Sequence, residues 1–258
     1  VNLTMAVTDE EGNRVPNTPR AKDSGEGEAT FGMIYDPPYG LKVGNNAGFN
    51  TIEWTMVWVN DTPVEALGVT VGDVLQAGTT YVPGTLECVG EGITVATSCD
   101  EATTVSGNGT RIDVIADFGP DFGKTVTTAE NRLFITFQMK VPASTTEVEN
   151  QAEATWTPEG GEELQGKTGN IAGLEIDLTD PDNPVVIPPP GVDNPDDPEG
   201  PLGHPDPDAP EDERPQPTPV KPMPAPVAVP VDNPFALLLL ALGLLGLGSR
   251  YARQRNAA

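Results

Sequence analysis

The sequence predicts an all-β domain, an immunoglobulin-like β-sandwich, followed by a disordered proline-rich acidic linker and a short C-terminal transmembrane helix. Three observations carry this expectation. Between Thr51 and Trp156, apolar residues recur at period two in short runs separated by turn residues, the pattern of half-buried strands rather than of helices. From residue 177 to residue 234, prolines and carboxylates accumulate. Near the end, Phe235–Gly248 form a run of 14 residues without a polar side chain.

Taken in order, residues 1–35 carry weak signals. Leu3, Met5 and Val7 alternate and a turn follows at Glu11, Gly12 and Asn13, so this part reads as an extended lead-in or the end of a preceding module. The chain begins at Val1 with no visible secretory signal, and a fragment or a processed form is the expectation.

Residues 36–157 hold the predicted sandwich. Ile52, Trp54, Met56 and Trp58 share one face of a first strong strand, and Leu67, Val69 and Val71 alternate next. Short runs at Thr79–Val82 and Thr85–Val89 flank Pro83 and Gly84, and Ile112 and Val114 continue the pattern. The cleanest alternation spans Asn131–Val141, with Leu133, Ile135, Phe137, Met139 and Val141 on one face and Arg132, Thr136, Gln138 and Lys140 on the other. Val148, Ala152, Ala154 and Trp156 close the series. About seven turn-bounded strands make a sandwich, with a small barrel as the alternative.

The order of these segments resembles a known family, the conserved bacterial repeat domain catalogued as domain of unknown function eleven. The likeness runs from about Asp36 to Trp156: a hydrophobic strand ending in Asn60, the stretch Val71–Gly78, the stretch Thr80–Cys88, a second cysteine, the long alternating strand, and Val148–Thr155. Gln76 stands where the family often carries proline. The resemblance implies an Ig-like surface module with no known catalytic residues.

Cys88 and Cys99 are the only cysteines, and an exported chain is expected to join them. Metal binding by the pair is disfavoured, because the single histidine, His204, lies far away in the proline-rich tract.

Residues 158–234 are expected to form the stalk. Such a composition buries too little apolar surface to offset its ordering entropy, and its proline-dense part from residue 177 to residue 234, as a polyproline II spacer, reaches on the order of 150 Å. Asp177, Asp180, Asp182 and Asn183 offer oxygen ligands for calcium, but the glycine-centred loop with a closing Glu is absent. Solvated charge is the better reading.

Residues 235–258 form the tail. Its apolar helix covers about 21 Å against a hydrocarbon core of about 30 Å, and Arg250, Arg253 and Arg255 behind it place the C-terminus in the cytoplasm by the positive-inside rule. Short motif, apolar run and basic end resemble the C-terminal sorting signals of Gram-negative bacteria that exosortase-type enzymes recognise, most closely the Ile-Pro-Thr-Leu variety. The corresponding motif residues here are Val229, Pro230, Val231, Asp232, Asn233, Pro234 and Phe235. The resemblance implies processing near this motif by such an enzyme and a place in the cell envelope.

Composition narrows the function. With 39 acidic against 14 basic side chains and a net charge of −25, the chain is kept away from nucleic acid and other anionic partners. One histidine and five scattered serines offer no nucleophile and base pair, so neither an enzyme nor a cofactor is expected. Asn2–Thr4, Asn60–Thr62 and Asn108–Thr110 match the N-glycosylation pattern and are assigned no function. Trp54, Trp58 and Trp156 read as core rather than as a sugar-binding platform. The leading expectation is a non-catalytic cell-surface structural or adhesive protein, displayed on a stalk and sorted through its tail, with an unknown surface ligand. The alternatives are a module that binds a carbohydrate or protein, and a fragment of a larger secreted enzyme.

Overall fold

The computed structural model describes residues 37–192, apart from 96–98, 122, 160–162 and 181, together with residues 216–225. The lead-in 1–35, the motif Val229 to Phe235, the apolar run behind it and Arg250, Arg253 and Arg255 lie outside the described residues. Among the described residues no helix is long and apolar enough to cross a membrane.

The strands are β1 (Tyr39–Gly48), β2 (Thr51–Val59), β3 (Ala66–Val74), β4 (Thr80–Tyr81), β5 (Glu87–Glu91), β6 (Thr94–Val95), β7 (Val105–Ser106), β8 (Arg111–Phe118), β9 (Arg132–Lys140), β10 (Val148–Asn150), β11 (Ala152–Trp156), β12 (Leu164–Gly169), β13 (Glu175–Asp177), β14 (Val185–Ile187) and β15 (Thr218–Val220). A single helical turn, α1 (Glu101–Thr104), is capped by the Asp100 side chain, which accepts from the Ala102 amide.

Two layers face each other. In one, β1, β2 and β9 pair antiparallel in that order, with β4 and β5 both pairing β9. In the other, β11, β3 and β8 pair antiparallel, with β6 and β7 on the far side of β8. Strand β12 joins them, running antiparallel to β11 along its length and parallel to β1 at Gly40 and Leu41. The result is a sandwich closed along one side. Gly166 makes the joint feasible, because a Cβ there would overlap the Pro38 carbonyl.

Period-two alternation sorts the side chains as expected. Ile52, Trp54, Met56 and Trp58 meet Leu133, Ile135, Phe137 and Met139 from one layer and Val69, Val71, Ile112, Val114, Ala116, Phe118, Ala154 and Trp156 from the other. All three tryptophans belong to this core, at 0, 0 and 4 % exposure. One residue departs from the sequence pattern: Leu67 is exposed and Ala66 is buried. A bulge between Ala66 and Val69, with Gly68 at positive φ, shifts the strand by one position, and a one-residue shift moves a side chain to the other face.

The expected boundary after residue 157 does not hold. Strand β12 completes the sandwich, and the β13–β14 hairpin lies on the outer face of the β1–β2–β9 layer. That face is itself apolar. Tyr39, Leu41, Val43, Val57, Val59 and Phe134 are buried there under Val126, Ala129, Leu174 and Val186. Leaving such a surface in water would cost about 25 cal/mol per Å², which is why a segment rich in proline and acid still folds back. Further on, β15 pairs β10, so part of the tract expected to be an unstructured stalk joins the fold. Strands of three residues are too short to leave a periodic trace in a sequence.

Candidate functional site

On β1, alternation runs Tyr39, Leu41, Val43 outward and Gly40, Lys42, Gly44 inward. The inward glycines are required by the tryptophans paired opposite them. Gly40 faces Trp58 and Gly44 faces Trp54 across the ladder, and a Cβ at either glycine would overlap the indole; at Gly44 it would also overlap Val220. Between the two glycines the chain carries Lys42, 0 % exposed, inside the apolar core.

Lys42 reaches across to the other layer, where its Nζ pairs with Oδ2 of Asp73 on β3, also 0 % exposed. The Nζ lies 4.9 Å from the centroid of the Trp54 ring and 5.5 Å from that of Phe137. Burial pushes the Lys42 ammonium below its usual pKa, and the neighbouring Asp73 opposes that shift. A third polar residue joins the pair. Asn150, at the end of β10 and 4 % exposed, donates its Nδ2 to the same Asp73 Oδ2 at 3.3 Å. Asp73 Oδ1 is buried without a hydrogen-bond partner. Strand β15 lies against this cluster, with Thr218 paired to Asn150 and its Oγ1 donating to the Lys42 carbonyl at 3.0 Å.

Residues predicted from the sequence fall elsewhere. Cys88 on β5 and Cys99 just before α1 are joined, with Cα atoms 5.7 Å apart. Asn60 and Thr62 build an internal turn. Thr62 Oγ1 donates to Asn60 Oδ1 at 2.8 Å, and Asn60 Nδ2 donates to the carbonyls of Val64 at 2.7 Å and Gly119 at 3.0 Å. The carboxylates considered for calcium instead organise the β13–β14 turn. Asp177 Oδ1 accepts from the Thr179 amide at 2.9 Å and its hydroxyl at 2.7 Å, which lowers the Asp177 pKa, and Asp180 Oδ1 accepts from the Asp182 amide.

The Lys42, Asp73 and Asn150 cluster escaped the sequence reading because its members come from three distant segments. The one available signal is a lysine at an inward position of an otherwise apolar strand. Away from this cluster's own residues, an open depression is lined by Tyr81, Pro83, Asp100, Glu101, Val105 and Asn108. Its acidic groups are already engaged in part, Glu101 with the Gly84 amide and Asp100 with the α1 cap.

No protein-family model and no curated relative matches the chain. Among solved structures, the collagen-binding domain of a Staphylococcus aureus adhesin is similar at a TM-score of 0.34 and 18% identity, over 50% of this chain and 93% of that one. ACE19, the collagen-binding subdomain of the Enterococcus faecalis surface protein ACE, is similar at 0.30 and 14% over 52% and 99%. The full-length major pilin SpaD of Corynebacterium diphtheriae is similar at 0.33 and 18%, over 51% of this chain and 34% of the pilin.

Proposed function

We propose that the chain is a non-catalytic structural or adhesive module of the bacterial cell surface, threaded in series between flanking segments and sorted through its C-terminal tail. The observation that supports this most is how the chain enters and leaves the sandwich. It comes in at Pro38 and runs up β1 to the turn at Phe49 and Asn50. The last described segment runs the same way alongside. Thr218 contacts Lys42, Asn46 exchanges hydrogen bonds with Lys221 and Met223, and the Asn50 amide donates to the Met223 carbonyl at 2.8 Å. The two ends therefore leave from opposite ends of β1, separated by about 30 Å at about 3.4 Å per residue. Tension between them loads β1 in shear, so its bonds to β2 and the neighbouring segments must break together rather than one by one. That arrangement suits a bead in a surface string.

The sequence resemblance to a bacterial surface repeat and to an exosortase-type sorting tail agrees with this reading. In it, residues 235–258 engage the membrane and the motif from Val229 to Phe235 meets a processing enzyme. The test is protease shaving of intact native-host cells followed by peptide mass spectrometry. Peptides from residues 37–192 are expected in the shaved fraction, without the peptide from Arg250 to Ala258. Release of the module only after lysis would overturn the surface assignment, and recovery of the C-terminal peptide from surface material would leave the tail as an uncleaved anchor.

A further inference from the structure

A lysine, an aspartate and an asparagine meet in one buried site between the layers of the sandwich. Lys42 Nζ and Asn150 Nδ2 both bond the same oxygen of Asp73, whose other oxygen has no partner. The three side chains are 0, 0 and 4 % exposed, and the Trp54 and Phe137 rings stand beside the amine. As a simple ion pair this arrangement is a poor bargain, since a buried pair rarely outperforms apolar packing of the same volume. As a reaction centre it is complete: an amine, a carboxamide, and a carboxyl group touching both.

We propose that Lys42 and Asn150 condense into an amide cross-link between their side chains, with Asp73 transferring the protons and ammonia leaving. Burial lowers the basicity of Lys42, and the reaction begins when the amine hands its proton to the Asp73 carboxylate it touches, which leaves Nζ with a free lone pair. That lone pair attacks Cγ of Asn150. As the Nζ–Cγ bond forms, the carbonyl π electrons move to Oδ1, which takes the Asp73 proton, and the resulting carboxylate removes a proton from Nζ. The tetrahedral intermediate then collapses. Asp73 protonates the Asn150 nitrogen, the Cγ–Nδ2 bond breaks with its electrons leaving on ammonia, and the Oδ1 proton returns to Asp73. One amine and one carboxamide become one secondary amide and one ammonia, and Asp73 ends with the proton it took from the amine. No oxidant, reductant or cofactor takes part.

The fold supplies what the reaction lacks in water. Amines do not attack carboxamides at neutral pH in solution, but holding both groups on one carboxyl converts the encounter into an intramolecular one, for which effective molarities of about 10⁵–10⁸ M are known. General acid–base transfer by a positioned carboxyl adds roughly 10²–10⁴-fold. Oxygen and nitrogen of a carboxamide are assigned from the hydrogen-bond network, and a half-turn of the Asn150 amide presents Oδ1 to the protonated Asp73. The inference depends only on the interior of the sandwich, not on where the module is displayed.

Such a bond would tie β1 to β10 and enclose the residues between 42 and 150. Pulled in series, the chain would then be denied on the order of 350 Å of extension, at about 3.4 Å per residue. The decisive measurement is the intact mass of the full 258-residue chain after reduction, with a digest to locate any cross-link. The expected result is a mass lower than the sequence mass by one ammonia and a branched peptide joining Lys42 to Asn150. Asp73→Ala and Asn150→Ala are each expected to restore the mass calculated for the variant sequence. An unmodified wild-type mass would overturn the proposal, as would loss of one water with a peptide joining Lys42 to Asp73. Should a variant fail to fold, the wild-type mass and branched peptide still decide. Cross-linking that persists in a folded Asp73→Ala chain would remove Asp73 from the mechanism.

Discussion

Tyr39 shows how one side chain couples the outer face of the sandwich to pH. It is 1 % exposed, packs under the returning segment and donates its hydroxyl to the Lys124 carbonyl at 3.4 Å. Burial, and then the nearby Asp61, raises its pKa well above the ordinary phenol value. The unfolded phenol ionises near pH 10, whereas the folded one keeps its proton. The contribution of Tyr39 is therefore complete below about pH 10 and is lost as pH rises from there toward the raised folded value. Tyr39→Phe is expected to cost about 1 kcal/mol near neutrality through the lost hydrogen bond and to make the alkaline decline in stability shallower. Urea unfolding midpoints at about pH 8 and about pH 11, measured on both chains, check this; equal declines would refute it. The triad on the inner face, by contrast, had no such local signature. Asp73 and Asn150 both sit inside stretches that the family resemblance singles out, yet neither has a neighbour in sequence that reveals its partner.

Among the elements, those with a strong apolar alternation were readable and those held by their neighbours were not. Strands β2 and β9 stand where Trp54, Trp58, Leu133 and Phe137 predicted them. Strand β1 was missed because its inward face is glycine, lysine and glycine, a choice dictated by the tryptophans across the ladder. Phe134 breaks the polar face of β9 for the complementary reason, because the outer side of that strand is covered too. The cysteine expectation rests on spacing and export, and the bond spans from β5, where Cys88 lies opposite Ile135, to the cap of α1. Closing this short loop stabilises by up to about 3 kcal/mol. Reduction is expected to lower the thermal midpoint while leaving a cooperative transition, since the β2–β9 core does not depend on the bond. Thiol labelling of the unreduced, denatured chain should find no free thiol, and two labelled cysteines would rule the bond out.

At the scale of the whole molecule, the class of fold was legible because the core is a sandwich of alternating strands, while its extent was not. The switch to proline and acid near residue 158 looks like the end of a domain, yet β12, the β13–β14 hairpin and β15 contribute position more than apolar mass. Strand β12 closes the sandwich along one side through only two residue pairs with β1. Removing it frees the edges of β1 and β11 together, and removing the hairpin bares Tyr39, Leu41, Val43 and Phe134. An exposed apolar sheet face next to open edges invites association between copies. A chain ending at residue 157 is thus expected to aggregate and to lose its cooperative transition, whereas a chain spanning residues 37–224 keeps both solubility and a single sharp transition. Light scattering with denaturant unfolding monitored by tryptophan fluorescence distinguishes them, because Trp54 and Trp58 report the core directly. If the chain ending at 157 stayed monomeric and unfolded at the same denaturant concentration as the longer one, the returning segments would be ornaments on a finished domain rather than the elements that complete it.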